Sequence, residues 1–222
     1  MSTPDRQLKT LYVVDSRGRI VSTREPGAQP GPAFALVRGA SACAWAVRVD
    51  VPETIGAELR RLAAEEPPTT DWRAPLNHFE RVAALAGGRV WSGPAFLFPD
   101  DASTPARGEF KEALRPVWDA GLGGAVRLVE DFRHLARFNG WTAEELPDRA
   151  PIVAVMVDGY AVSVCFCARR SDVAAEAGLE TLEAFRGRGY GTLVTAAWAQ
   201  AVRASGRTPL YSTSWDNAAS LA

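Results

Sequence analysis

Residues 186–191, Arg-Gly-Arg-Gly-Tyr-Gly, set three glycines and two arginines into six positions. Leu193, Val194, Ala197, Trp198, Ala201 and Val202 follow at helical spacing, so the glycines lie against the start of a helix. A tight turn is one reading. The other is an anion cradle, because a helix N-terminus offers unpaired N–H groups and a partial positive charge. Glycine tolerates positive φ and keeps Cβ atoms out of the way of a phosphate. Arg186 and Arg188 would add donors and charge. A Walker loop requires GxxxxGK[ST], and no lysine follows here. A Rossmann loop requires GxGxxG, whereas Gly187, Gly189 and Gly191 give GxGxG.

Other chemistry is sparse. The three cysteines are Cys43, Cys165 and Cys167, and the only histidines are His78 and His134. This is too little for a metal site, and no metal is expected. Cys165 and Cys167 share one face of a strand and read as small buried residues. His78 and His134 read as surface residues of two helices. An odd cysteine count, with no apolar core in MSTPDRQLKT, leads us to expect reduced thiols and a cytoplasmic protein.

The 222 residues are 47% apolar and 23% charged, with a formal net charge of −1. That supports one large domain or two small ones. It gives no field favouring nucleic acid or an anionic membrane. No apolar run approaches the length of a membrane span.

The elements that must position the loop follow from periodicity and turn chemistry. LYVV and RIV flank a turn at Asp15 to Gly18 and read as a hairpin. Strands are expected at 34–38 and 43–49. A helix follows to about Ala64, with Asp50 and Glu53 at capping-box spacing and Ile55, Leu59 and Leu62 as its stripe. A second helix spans 75–86, with Leu76, Phe79, Val82 and Ala83 inward and Gly87-Gly88 as its stop. A strand is expected at 94–98. The polar, Pro-containing segment 99–109 then suggests a boundary, giving domains 1–104 and 105–222.

In the second half, a strand at 126–129 and a short helix at 131–138 precede Thr142 and Glu145, again at capping-box spacing. PIVAVMV, Asp158-Gly159 and YAVSVCFCA form the clearest hairpin. A strand at 176–184, the glycine loop, a helix at 190–204 and a strand at 208–214 complete the order. The expected fold is α/β of the α+β type: a mixed, mostly antiparallel sheet flanked by helices, after a small α/β N-terminal domain.

Arg186-Gly187-Arg188-Gly189-Tyr190-Gly191 matches R/Q-x-x-G-x-G/A, and with the surrounding order it resembles the GNAT superfamily of acetyl-CoA-dependent N-acetyltransferases. The resemblance covers roughly 125–222 and is most specific from Glu176 onward. It implies a coenzyme A pyrophosphate held around Arg186, Gly187, Arg188, Gly189, Tyr190, Gly191 and Thr192. The pantetheine arm would run beside Thr181 and Leu182, with a backbone N–H near Leu182 facing the thioester oxygen.

Deprotonating the acceptor amine falls to Glu176, ten residues before Arg186, or to Glu180, four residues later on the same strand face. Both also read as ordinary ion-pair partners. Glu183 reads as a solvent-facing strand end. Asn217 either bonds to the cofactor arm or caps the last helix. The family's last helix and strand are expected to be missing after Ala222, together with the tyrosine that protonates the leaving thiolate. Tyr211 reads as sheet packing. The expected activity is acetyl transfer to a primary amine of a small molecule or peptide. The alternative is an inactive coenzyme A-binding module. A strand left open at the end of the sheet would favour a homodimer.

Overall fold

A computed structural model describes residues 1–87, 90–98 and 125–221. The expected domain boundary at 104, and Gly88, lie outside the described residues. The chain groups into two compact units, one of residues 1–96 with 212–222 and one of 97–211.

The first unit begins with a helix the sequence reading passed over, α1 (Thr3–Leu11). Its signal was present: Ser2 Oγ accepts the Asp5 N–H at 3.3 Å, and Pro4 stands in the first turn. Strands β1 (Tyr12–Val14) and β2 (Ile20–Thr23) form the expected antiparallel hairpin. Its turn is pinned by Asp15 Oδ1, which accepts from the N–H groups of Arg17 and Arg19, each at 2.9 Å. Strands β3 (Phe34–Arg38) and β4 (Cys43–Val47) pair antiparallel, and Leu8, Ile20 and Ala46 form the core beneath them.

Helix α2 spans Glu53–Ala64, but no capping box forms. Pro52 occupies the N-cap, Asp50 pairs with Arg48 at 2.6 Å, and Glu53 pairs with Arg60. The two carboxylates found guanidinium partners and left the helix N–H groups uncapped by side chains. Helix α3 is shorter than expected, Phe79–Ala86, and buries none of its residues. Phe79, expected inward, is 38% exposed. Gly87 closes it at φ 64°. The segment between α2 and α3 is tied down by Glu66, buried and paired with Arg38 at 3.0 Å.

The second unit holds the chemistry. Its sheet runs β5 (Ala95–Leu97), β10 (Thr208–Ser212), β9 (Ala174–Thr181), β8 (Tyr160–Arg170), β7 (Val153–Val157), β6 (Ala125–Leu128), and the unit boundary passes through β5 and β10. Strands β6 to β9 are antiparallel in sequence order, while β10 joins β9 in parallel. The fold is thus mixed α/β, as its hairpins and helix periodicity required. Asp158 at φ 51° and Gly159 at φ 83° make the expected tight turn between β7 and β8. Strand β5 flanks β10.

Helix α5 (Tyr190–Ala204) covers one face of this sheet. Val194, Ala197, Trp198 and Val202 of α5 pack on Val153, Val155, Cys165, Cys167, Ala175 and Ala177. Cys165 and Cys167 share that face and are fully buried, as the period-two pattern required. The opposite face carries Ala154, Met156, Val164 and Phe166, covered by Leu135, Phe138 and Trp141. Residues expected as a helix at 131–138 form a 3-10 turn, Phe132–Leu135, capped by Asp131. A second such turn, Ala143–Glu145, leads into the one-turn helix α4 (Leu146–Arg149). Thr142 stands at its N-cap without a side-chain bond, so the second expected capping box is also absent.

Candidate functional site

Strand β9 is eight residues long, and its two halves are built differently. Its register with β10 runs only from Ala174 with Thr208 to Glu176 with Leu210. Beyond Glu176 it keeps its antiparallel partner β8, through Thr181 opposite Ser163. The strand therefore leaves β10 behind before it reaches the glycine loop. It also ends at Thr181, earlier than expected; Glu183 to Phe185 form a 3-10 turn. Glu183 is exposed in that turn, not on a strand.

The loop has the geometry of a cradle. Gly187 at φ 72° and Gly189 at φ 76° occupy the left-handed region, which other residues enter only with strain. Gly189 is the N-cap of α5, and no side chain caps that end. The first N–H groups of α5 consequently lack intrahelical acceptors and face outward with the positive end of the dipole. Gly191 is different. A Cβ there would meet Leu179 Cδ2 at 3.5 Å and Thr181 Oγ1 at 3.9 Å, ordinary contacts. Thr192 is exposed one position further along the helix.

The arginines fold back on the turn. Arg186 Nε donates to the Thr181 carbonyl at 3.3 Å. Arg188 Nη2 donates to the Ala184 carbonyl at 3.1 Å, and its guanidinium lies over the Phe185 ring, 5.1 Å from the centroid. Both are exposed and belong to a preorganised loop. Tyr190 offers only its backbone, for its side chain is buried in the core with α5.

Leu182 N–H donates to the Val162 carbonyl at 3.0 Å, and its carbonyl accepts from Phe185 N–H at 2.8 Å. Thr181 directs its hydroxyl to Ser163 Oγ at 2.8 Å, on the α5 face of the sheet. Asn217 belongs to the first unit. It is exposed, directly before the short helix α6 (Ala218–Leu221), and its carbonyl accepts the Ser220 N–H at 3.0 Å.

The two glutamates do share a face, the one opposite α5, but their settings differ. Glu176 is 3% exposed, in the half of β9 clamped between β8 and β10. Glu180 is half-buried in the half beyond β10, and its Oε1 accepts the Trp141 indole N–H at 3.3 Å. Trp141 meets Phe166 edge-on at 4.6 Å. The Arg149 guanidinium lies over both rings, at 4.9 and 5.0 Å, and donates to Glu145 at 3.0 Å. Trp141 and Arg149 were invisible as site residues in the sequence, since 39 residues separate Trp141 from Glu180 and no local pattern links them.

His134 Nδ1 lies 3.1 Å from the Gly159 carbonyl, and His78 Nε2 lies 3.0 Å from Glu65. Among the described residues no three His, Cys, Asp or Glu side chains gather to hold a metal. Among them, too, no helix is long and apolar enough to cross a membrane.

A mixed sheet, with an antiparallel meander leading through a glycine cradle into a helix and a parallel strand, defines the class. Residues 160–222 match the family described as FR47-like protein. That segment takes in β8, β9, the glycine loop and α5. The glycine–tRNA ligase beta subunit of Myxococcus xanthus (strain DK1622) is 33% identical over 93 residues, 41% of this chain and 12% of that one. The chain thus spans a small part of that curated relative.

Among solved structures, the chain is similar to a GCN5-related N-acetyltransferase-like protein from Streptococcus suis 89/1591. The likeness is 16% identical, covers 86% of this chain and 77% of that one, and has a TM-score of 0.44. It is also similar to a putative acetyltransferase from the GNAT family of Novosphingobium aromaticivorans DSM 12444. That likeness is 20% identical, covers 45% and 47%, and has a TM-score of 0.38.

Proposed function

We propose that this chain is an acetyl-CoA-dependent N-acetyltransferase acting on a primary amine of a small molecule or peptide. The observation that carries the reading is the loop. Gly187 and Gly189 at positive φ deliver the chain into a helix whose N-terminus no side chain caps. A pyrophosphate fits such a site, because backbone N–H groups meet its oxygens and the helix dipole favours its charge. Gly187, Gly189, Tyr190, Gly191 and Thr192 would hold it through their backbones, with Arg186 and Arg188 close by.

Acetyl-CoA, when bound, supplies an activated acetyl thioester. The chain's own residues must then align the arm, orient the amine and remove its proton. The half of β9 past its last β10 partner offers an unshared strand edge for the arm. Glu176 and Glu180 are the carboxylates on the amine side, and either would take one proton from an ammonium, leaving a neutral nucleophile. Alignment itself supplies much of the rate.

The engaged N–H of Leu182 favours a second reading, a coenzyme A-binding module without turnover. Calorimetry with coenzyme A, paired with release of free thiol from acetyl-CoA across a panel of primary amines, separates the two. Binding with amine-dependent thiol release supports the transferase. Binding without release supports the module, and no binding rejects both.

A further inference from the structure

Resting on the acetyl-transfer reading, we propose that Trp141 is a positioning residue: its indole N–H holds the Glu180 carboxylate at the open half of β9, and Glu180, not Glu176, takes the proton of the acceptor ammonium. The two carboxylates are equivalent by spacing. Only their surroundings tell them apart.

Glu176 stands where β9 is bordered by strands on both sides and is almost fully buried. Its 3% exposure leaves almost none of it open to an ammonium group from solvent. Glu180 stands past the last β10 pair, half-buried, with one oxygen fixed by Trp141 at 3.3 Å. An indole N–H is a donor only, so it orients the carboxylate without competing for the proton to be removed.

Trp141 is itself held. Its ring is 8% exposed, set edge-on against Phe166 and covered by Arg149, which Glu145 anchors. Gly178 makes this possible. A Cβ there would come within 2.5 Å of Phe166 Cζ, so only glycine, two residues before Glu180, lets the Phe166 ring lie against the strand. The sequence Gly178-Leu179-Glu180 thus combines a seat for the supporting ring with the carboxylate it supports.

The proton balance is simple. Glu180 begins as carboxylate, the acceptor as R–NH3⁺; transfer gives Glu180–COOH and R–NH2, whose lone pair is free to attack. Arg149, bonded to Glu145, lies over Trp141, the indole that bonds Glu180, and Glu176 shares the strand face of Glu180. From β8 the residues on that face are Val164 and Phe166, which carry no charge.

The test uses the full chain, with carboxyl-¹³C glutamate and assignment by Glu180→Gln. In Trp141→Phe the ring stays and the N–H is lost, so the Glu180 carboxyl resonance at neutral pH should move. Phe166→Leu loosens the packing but retains the N–H; it should lower thermal stability and leave that resonance in place. With any amine that releases thiol from acetyl-CoA, Trp141→Phe should lower kcat by about 3- to 10-fold. The KM for acetyl-CoA should stay unchanged, and Glu180→Gln should lower kcat by about 100-fold or more.

An unmoved Glu180 resonance in Trp141→Phe overturns the proposal. So does a kcat that survives Glu180→Gln but is lost in Glu176→Gln. Absence of thiol release with every amine overturns the acetyl-transfer reading and the catalytic use of the pair, whatever the resonance shows.

Discussion

The two halves of β9 have the same backbone conformation and the same partner on one side, yet they serve different ends. From Ala174 to Glu176 the strand lies between β8 and β10 and its residues are buried. From Gly178 to Thr181 it has left β10, and its side chains are half-buried or exposed. The first half is sheet interior; the second is a platform that leads into the glycine cradle. Two glutamates four residues apart therefore meet opposite conditions. A strand that outruns its neighbour gives its two ends different surroundings without changing its secondary structure.

The strongest way to break this contrast is at the cradle. Gly189→Glu places an anion at the N-cap of α5 and forces a side chain into a left-handed φ. Coenzyme A affinity should fall by about 100-fold or more, while far-UV circular dichroism stays unchanged. Retained affinity would mean that the open half of β9 leads nowhere.

The clamped half makes a prediction about pH. Burial pushes the Cys167 thiol up to about 11, and Cys167 lies opposite Ala177 in the β8–β9 register. A raised folded value means the neutral thiol is favoured in the fold. Its contribution is complete below the ordinary thiol range near 9.0 and is lost as pH rises toward 11. Denaturant midpoints should fall across that window by the equivalent of about 3 kcal/mol. Cys167→Ala should reduce the fall and leave the part due to Cys165, whose thiol burial also pushes up; an unchanged slope would show that this half admits water.

The glutamates offer a direct comparison. Glu176→Gln should cost about 1–3 kcal/mol of stability, because it alters a polar group that is almost fully buried. Glu180→Gln should cost less than about 1 kcal/mol. Equal costs would erase the distinction between the halves. The smallest effect is expected at Gly191→Ala. The added Cβ meets only ordinary contacts, so coenzyme A affinity should change by less than about threefold, measured by the same calorimetry.

The parts legible in the sequence were those written locally. Asp158-Gly159 between two β-rich runs gave the hairpin, and the apolar spacing from Leu193 to Val202 gave α5 with both ends correct. The glycines that need positive φ, Gly187 and Gly189, were visible as types, but which of the three needed it was not. Helix α1 was legible in Ser2, Pro4 and Asp5 and was passed over. The capping boxes at Asp50 and Thr142 were false signals. Spacing does not show whether a carboxylate has a nearer guanidinium, as Asp50 has in Arg48.

Three features had no local signature at all: where β10 stops pairing, which acceptor takes the Leu182 N–H, and which indole reaches Glu180. Each depends on residues brought together from far along the chain.

One such long-range feature bears on how the chain is made. Within the first unit, Thr213 N–H donates to the Pro94 carbonyl and Trp215 N–H to the Ser92 carbonyl. Gly93 sits so close that a Cβ would fall 1.8 Å from the Thr213 carbonyl oxygen. Segments more than a hundred residues apart must meet with no room between them. Synthesis proceeds from the N-terminus at about 5–20 residues per second. The first ninety-odd residues leave the ribosome several seconds before their last partner exists. During that interval Phe96 in β5 has no β10 to pair with. This unit is completed only after the residues of the second unit have been made, and nascent-chain chaperones have their opportunity in the gap.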